Sequence, residues 1–112
     1  MNTGIKEIVI KEIIDLAVKY DVEKVLLFGS RARGDYKRTS DIDLAVIGAN
    51  IARFSLDLDE GTSTLLMFDV VDLGGIIQEE LRKSIEKEGK ILYEKVWEFL
   101  FCVNEYERYL SI

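Results

Sequence analysis

Two aspartates separated by one residue are the side chains of this sequence best suited to chemistry. Asp41 and Asp43 open an apolar run that continues through Ile47. Side chains of a strand alternate between its faces, so the two carboxylates point to the same side. At ~4 Å and an effective dielectric constant of ~20, their repulsion amounts to about 4 kcal/mol. A hard divalent cation would offset this repulsion, so the pair predicts a metal site.

A second feature, suited to binding anions, precedes the aspartates. The apolar run 25–28 ends in Gly29 and Ser30, where a turn from strand into helix would present free backbone N–H groups. Gly29 lets the backbone approach an anion closely, and Ser30 adds a hydroxyl donor. The segment that follows carries four cations, Arg31, Arg33, Lys37 and Arg38. These residues predict a phosphate cradle, here meaning the Gly29–Ser30 turn and the helix start that follows it.

The distance along the chain between the two features indicates how they are arranged. Ten residues separate Ser30 from Asp41, whereas a parallel crossover usually needs a dozen or more. Two antiparallel strands are therefore favoured, with the end of the first and the start of the second at one edge of the sheet. The phosphate cradle and the carboxylate pair would then meet, as is typical of phosphoryl or nucleotidyl transfer.

The spacing of Gly29-Ser30 and Asp41-Ile42-Asp43 resembles the signature of the DNA polymerase β nucleotidyltransferase superfamily. The fuller pattern is Phe-Gly-Ser-Arg-Ala-Arg-Gly followed by Ser-Asp-Ile-Asp-Leu-Ala-Val. This pattern is similar to the minimal nucleotidyltransferase branch, which is usually paired with a HEPN-domain protein. The resemblance implies a fold like the polymerase β palm, ATP as substrate, and one or two Mg²⁺ ions held by the aspartates.

The resemblance also implies a third carboxylate on a following strand, acting as base or metal ligand for the incoming hydroxyl. The segment 68–72 resembles that strand and contains Asp69 and Asp72. These residues are three apart, so a strand directs them to opposite faces. We expect Asp69 to join the site and Asp72 to cap a turn near Gly74, with Asp72 as the alternative third carboxylate.

Composition narrows the possible chemistry. The 112 residues, 48% of them hydrophobic, predict a single domain over residues 1–112 without room for a second substrate domain. The sequence has no histidine and only one cysteine, Cys102, which excludes histidine-based catalysis and an intrachain disulfide. A net charge of −6 argues against binding duplex nucleic acid through a basic surface. Without a membrane-spanning segment or signal-peptide pattern, we expect a cytoplasmic protein.

Hydrophobic periodicity predicts an α+β domain with a small mixed or antiparallel sheet. We expect helices on one face of the sheet and the acids on its open face. Helices are predicted over residues 4–20, 30–36, 51–60, 76–88 and 94–112, and strands over 23–28, 41–47, 65–73 and 91–93. The C-terminal helix carries more large apolar side chains than one core-facing stripe needs, including Trp97 and Phe101, so it is a predicted partner surface.

Together these features predict a Mg²⁺-dependent nucleotidyltransferase that transfers AMP from ATP to a hydroxyl. The resemblance implies that the acceptor is a tyrosine of a HEPN ribonuclease toxin, which makes the chain an antitoxin. Two alternatives stay open: an antitoxin that neutralises the toxin by binding alone, and a transferase for a small-molecule hydroxyl. The expected catalytic and metal-binding residues are Asp41, Asp43 and Asp69, and the expected nucleotide-binding residues are Gly29, Ser30, Arg31, Arg33 and Ser40.

Overall fold

The computed structural model describes residues 2–95. The elements in chain order are α1 (Glu7–Lys19), β1 (Val22–Phe28), α2 (Ser30–Arg33), β2 (Ile42–Gly48), α3 (Ile51–Gly61), β3 (Phe68–Asp72), α4 (Glu79–Glu88) and β4 (Lys90–Glu94). The predicted C-terminal helix needs a correction at its start, because Glu94 ends β4 and pairs with Lys24 of β1. The rest of that helix lies outside the described residues.

The four strands form one mixed sheet in the order β3–β2–β1–β4. Strand β1 is antiparallel to both β2 and β4, whereas β2 and β3 are parallel. The antiparallel pairing of β1 with β2 confirms the arrangement predicted from the short connection between them. The parallel connection from β2 to β3 contains α3, which provides the long crossover that such a pair requires.

The main core lies between one face of the sheet and the helices α1 and α3. Alternate residues of β2, namely Ile42, Leu44 and Val46, point to this face and are fully buried. They pack with Ile13 of α1 and Phe54 of α3 in a single apolar cluster. Asp43 of β2 falls in the opposite phase, as predicted, so the core and the candidate site occupy different faces.

Helix α4 departs from the prediction that the helices share one face. Its residues Leu81 and Ile85 pack against Leu26, Phe28 and Ala45, which project from the sheet on the side opposite the main core. The physical reason is that the centre of the sheet is apolar in both phases and must be covered on both faces. Helix α4 covers the β1 side of the second face.

Two hydrogen bonds join the end of α1 to α3. Asn50 occupies the predicted position before α3, but it makes no side-chain cap hydrogen bond. Its amide instead donates to the Tyr20 carbonyl at 3.1 Å. The Tyr20 hydroxyl donates to Asp57 of α3 at 2.5 Å.

Within residues 2–95, no helix has the length and apolar character needed to cross a membrane.

We predict that Phe54→Ala lowers the free energy of unfolding by about 3–5 kcal/mol, because it leaves a cavity in the main core. Leu56→Ala is the matched control on the same helix, since Leu56 is 55% exposed. We expect that control to change the free energy by less than ~0.5 kcal/mol. Urea denaturation measures the free energy of unfolding of both variants. Equal losses in the two variants would contradict the assignment of the Phe54 face of α3 to the core.

Candidate functional site

The turn after β1 brings the phosphate cradle into contact with an acid. Phe28, the last residue of β1, pairs with Asp43 of β2. Gly29 follows with φ 76° and ψ −158°, a conformation open only to glycine. A Cβ atom at Gly29 would collide with the Oδ2 atom of Asp43. The absence of a side chain here therefore lets the backbone and the carboxylate lie against each other.

Ser30 begins the short helix α2, and Gly34 ends it. The first N–H groups of a helix have no acceptor within the helix. In α2 the Ala32 and Arg33 N–H groups donate to the Gly29 carbonyl at 3.1 and 3.0 Å, so a ligand at this helix start would meet the N–H groups of Ser30 and Arg31. The Gly34 N–H donates to the Ser30 carbonyl at 2.8 Å, and Gly34 adopts φ 94° in the left-handed region. The predicted helix over residues 30–36 is thus one tight turn, ended by its glycine.

The carboxylates gather around Asp43. The parallel register pairs Asp43 with Asp69 of β3, and Asp41 immediately precedes β2. Burial raises the pKa of the Asp43 carboxyl above its usual range, and the charges of Asp69 and then Asp41 raise it further. The positive charge of Arg33 acts in the opposite direction. Asp43 is therefore the half-buried centre of the acid group, whereas Asp41 and Asp69 are exposed.

These carboxylates fit a metal that binds together with a nucleotide. Within residues 2–95, no group of three acidic, histidine or cysteine side chains converges closely enough to form a metal site by itself. Mg²⁺ usually binds through one or two carboxylates together with substrate phosphates and water. Asp41 and Asp43, beside the phosphate cradle, would supply the hard oxygen donors for such a site.

Arg31 requires a correction, because its side chain was expected to bind nucleotide. The Arg31 side chain is only 2% exposed. Its guanidinium donates to the backbone carbonyls of Thr3, Lys37, Arg38 and Ser40 at 3.0–3.4 Å. Arg31 is thus a buried structural side chain, and its guanidinium is committed to backbone acceptors.

Arg33 is the cation of α2 that faces the acids. Its side chain is 47% exposed and donates to Asp35 at 3.2 Å and to Glu88 of α4 at 2.6 Å. Glu88 could not be found from the sequence, because a partner 55 residues away leaves no local signal. Arg33 ties α2 to α4 while its charge acts on Asp43.

The remaining candidates divide between the site and its supporting turns. The Ser40 hydroxyl accepts a hydrogen bond from the Lys37 N–H at 2.8 Å, so it closes the turn that leads to Asp41. Asp72 accepts from the Gly74 N–H at 2.8 Å. The register pairs Asp72 with Val46, whose side chain points to the main core. Asp72 thus caps a turn, and Asp69 is the acid that joins Asp43.

The fold and the arrangement of acids are those of a nucleotidyltransferase, and the comparison with known families agrees. Residues 11–97 match the family described as polymerase beta, nucleotidyltransferase. The chain therefore belongs to this family and is a nucleotidyltransferase. A Methanocaldococcus jannaschii protein named as a candidate protein adenylyltransferase is 36% identical over 100 residues. That match covers 79% of this chain and 98% of the relative.

Solved structures confirm the fold and the predicted branch of the family. A crystal structure of a toxin–antitoxin with AMP-PNP contains a chain that aligns with a TM-score of 0.64 and 29% identity. The alignment covers 91% of this chain and 87% of that one. A chain from the crystal structure of the toxin–antitoxin MntA-HepT aligns with a TM-score of 0.59 and 25% identity. This alignment covers 95% of the present chain and 88% of that one.

We predict that Gly29→Ala weakens the joint binding of Mg²⁺ and an ATP analogue, because the new Cβ displaces the Asp43 carboxylate. A displacement that costs ~1.4 kcal/mol or more weakens binding at least about tenfold. Gly34→Ala is the matched control, since it also has positive φ but has nothing within 4 Å of an added Cβ. Backbone strain should cost Gly34→Ala about 1–2 kcal/mol of stability, and Gly29→Ala, whose ψ lies in the region open only to glycine, about 3 kcal/mol or more. Calorimetric titration measures the affinity of each variant for the ATP analogue with Mg²⁺. Equal affinities of the two variants would contradict the predicted collision between the new Cβ atom and the Asp43 carboxylate.

We also predict that Asp43→Asn raises the melting temperature of the metal-free protein at neutral pH by a few degrees. The pKa of Asp43 is raised in the folded state, so its ionised form opposes folding at pH values above that pKa. The wild type should regain the difference as the pH falls, and the two proteins should converge below the unfolded carboxyl pKa of about 3.9. Asp59→Asn, at an exposed position of α3, is the control. A pH-independent difference would contradict this account.

Proposed function

We propose that this nucleotidyltransferase transfers AMP from ATP, in the presence of Mg²⁺, to a tyrosine hydroxyl of a HEPN ribonuclease toxin. The observation that carries the proposal is the position of Asp43, between the Gly29 turn and Asp69. One side of the carboxylate adjoins a phosphate cradle, and the other adjoins an exposed acid that an acceptor can reach. The candidate adenylyltransferase relative supports the same substrate, as does the toxin–antitoxin structure with AMP-PNP, which contains a similar chain.

The ATP phosphates bind at the start of α2 in this proposal. The first N–H groups of the helix and the Ser30 hydroxyl donate to phosphate oxygens. Arg33 adds a positive charge on the same side as the acids. Asp41 and Asp43 hold Mg²⁺, which neutralises phosphate charge and makes the α-phosphorus more electrophilic when it is bound.

Asp69 receives the proton of the acceptor in the proposed transfer. As the acceptor oxygen forms its bond to the α-phosphorus, its proton passes to the Asp69 carboxylate. The bond from the α-phosphorus to the oxygen that bridges to the β-phosphate breaks, and pyrophosphate leaves with the electron pair. Asp69 suits this role because it is exposed while its backbone pairs with that of Asp43.

The names of the relatives favour a protein as the acceptor of AMP. One relative is named as a candidate protein adenylyltransferase, and the similar solved chains come from toxin–antitoxin structures. An adenylyl group on a tyrosine adds bulk and negative charge. Near a ribonuclease site, such a charge repels RNA phosphates. Transfer of AMP would in this way silence the toxin.

We predict that Asp69→Asn lowers the transfer rate by about 10²–10⁴-fold, the range expected when a general base is lost. Its affinity for ATP should change little, because the proposed role concerns the acceptor. Asp72→Asn is the matched control on the same strand, and it should retain the rate while losing its turn cap. The measurement is the intact mass of a HEPN partner incubated with the chain, ATP and Mg²⁺.

Three other outcomes would each reject part of the proposal. An unmodified partner whose ribonuclease is still silenced by the wild type would establish an antitoxin that acts by binding alone. Transfer of AMP to a small hydroxyl compound, with the partner unmodified, would establish a small-molecule transferase. A large loss of rate in Asp72→Asn but not in Asp69→Asn would mean that the wrong carboxylate was assigned.

A further inference from the structure

Arg31 is a buried cation that forms no ion pair with any carboxylate of residues 2–95. Burial of a charge is unfavourable unless hydrogen bonds satisfy it. Here they do: Nε donates to Ser40 at 3.0 Å, Nη1 to Thr3 at 3.0 Å, and Nη2 to Lys37 and Arg38 at 3.4 and 3.3 Å. All of these acceptors are backbone carbonyls, so what Arg31 holds is the path of the chain.

The position of Arg31 in the sequence gives these bonds their significance. Arg31 directly follows Ser30 of the phosphate cradle, and its Nε binds the carbonyl of Ser40, which directly precedes Asp41. One side chain therefore connects the two ends of the ten-residue connection. The hydrogen bond between Nε and Ser40 joins the phosphate cradle to the acid pair by a path separate from the β1–β2 ladder.

The turn over residues 37–40 is shaped to receive this side chain. It is closed by two hydrogen bonds, from the Ser40 N–H to the Lys37 carbonyl at 3.0 Å and from the Lys37 N–H to the Ser40 hydroxyl at 2.8 Å. Three carbonyls of the turn then face the guanidinium, which is planar and presents five N–H donors in a fixed arrangement. A lysine has three donors and could not satisfy the same acceptors.

The N-terminal segment encloses Arg31 from the other side. The Thr3 carbonyl accepts from Nη1, and the Tyr36 ring lies 4.9 Å from the guanidinium carbon. Tyr36 also donates to Asn2 at 3.1 Å, and an added Cβ at Gly4 would lie against its ring. The segment 2–5, helix α2 and the turn 37–40 are thus held together around one side chain.

We propose that Arg31 is a positioning residue that sets the place of Asp41 relative to the phosphate cradle and whose side chain contacts neither nucleotide nor metal. The proposal rests on the proposed function for the reaction that this geometry serves. A displacement of about 1 Å in such a site can lower a rate about 10²-fold, even when the mutation that causes it is far from the chemistry. Loss of Arg31 should therefore alter metal use and transfer more than nucleotide binding.

The test compares Arg31→Lys and Arg31→Ala with Arg53→Ala, which removes an exposed arginine from α3. For Arg31→Lys, we expect affinity for a non-hydrolysable ATP analogue without Mg²⁺ to stay within about threefold of the wild type. The Mg²⁺ concentration needed for half-maximal binding in the presence of that analogue should rise roughly tenfold, and the transfer rate should fall ~10–100-fold. Arg53→Ala should match the wild type in all three measurements.

Chemical rescue separates positioning from general stabilisation of the fold. Guanidinium ion at a low, non-denaturing concentration should enter the space left in Arg31→Ala and restore the Mg²⁺ dependence, whereas sodium ion at the same concentration should not. If Arg31→Ala does not fold, Tyr36→Leu takes its place, since it removes the ring beside the guanidinium but keeps Arg31. It should shift the Mg²⁺ requirement in the same direction by a smaller factor.

Two results would overturn the proposal. A loss of nucleotide affinity of about tenfold or more in Arg31→Lys, with unchanged Mg²⁺ dependence, would make Arg31 a nucleotide ligand. A lower melting temperature with unchanged Mg²⁺ dependence and rate would make it a structural residue only.

A readout independent of activity keeps this proposal separate from the proposed function. Hydrogen exchange of the backbone amides over residues 37–41 should be faster in Arg31→Lys than in the wild type, whether or not AMP is transferred. Equal exchange rates would reject the positioning role even in an active enzyme. Absence of transfer by the wild type, combined with faster exchange in Arg31→Lys, would reject the proposed function alone.

Discussion

The contact between the Asp43 carboxylate and the backbone of Gly29 is the constraint on which the site depends. The contact requires β1 and β2 to be antiparallel, so that the end of one strand meets the start of the other. It also requires a residue without a side chain, held at positive φ, at the point where the chain leaves the sheet. Because both requirements are met, the residues of the proposed anion site and of the proposed cation site share one edge of the sheet.

Packing on the second face of the sheet keeps this edge accessible while covering the rest. Leu81 and Ile85 of α4 cover the apolar side chains of β1 and the middle of β2. The end of α4 reaches the site through Glu88, whose carboxylate holds Arg33. The same helix therefore completes a second apolar cluster and orients a cation near Asp43, while Asp69 of β3 stays exposed.

Much of this arrangement could be predicted from alternation and spacing. The phase of β2 separated Ile42, Leu44 and Val46 from the acids. Strand phase also showed that Asp69 and Asp72 could not both join the site, and the resemblance to the family favoured Asp69, which the register pairs with Asp43. The role of Arg31 could not be predicted, because backbone carbonyls leave no signature in a sequence. The face covered by α4 was predictable in principle, since β1 is apolar in both phases.

The different roles of Arg31 and Arg33 follow from what surrounds each side chain. Arg31 is enclosed by the turn over residues 37–40 and the N-terminal segment, where neutral carbonyl dipoles and the ring of Tyr36 meet its charge. Arg33 is partly exposed and already bound by carboxylates, so an arriving phosphate would compete with Glu88 for an accessible cation. A buried guanidinium gives up its hydrogen bonds only when the turn opens. Arg31 is therefore suited to hold the chain in place, whereas Arg33 is free to exchange one anionic partner for another.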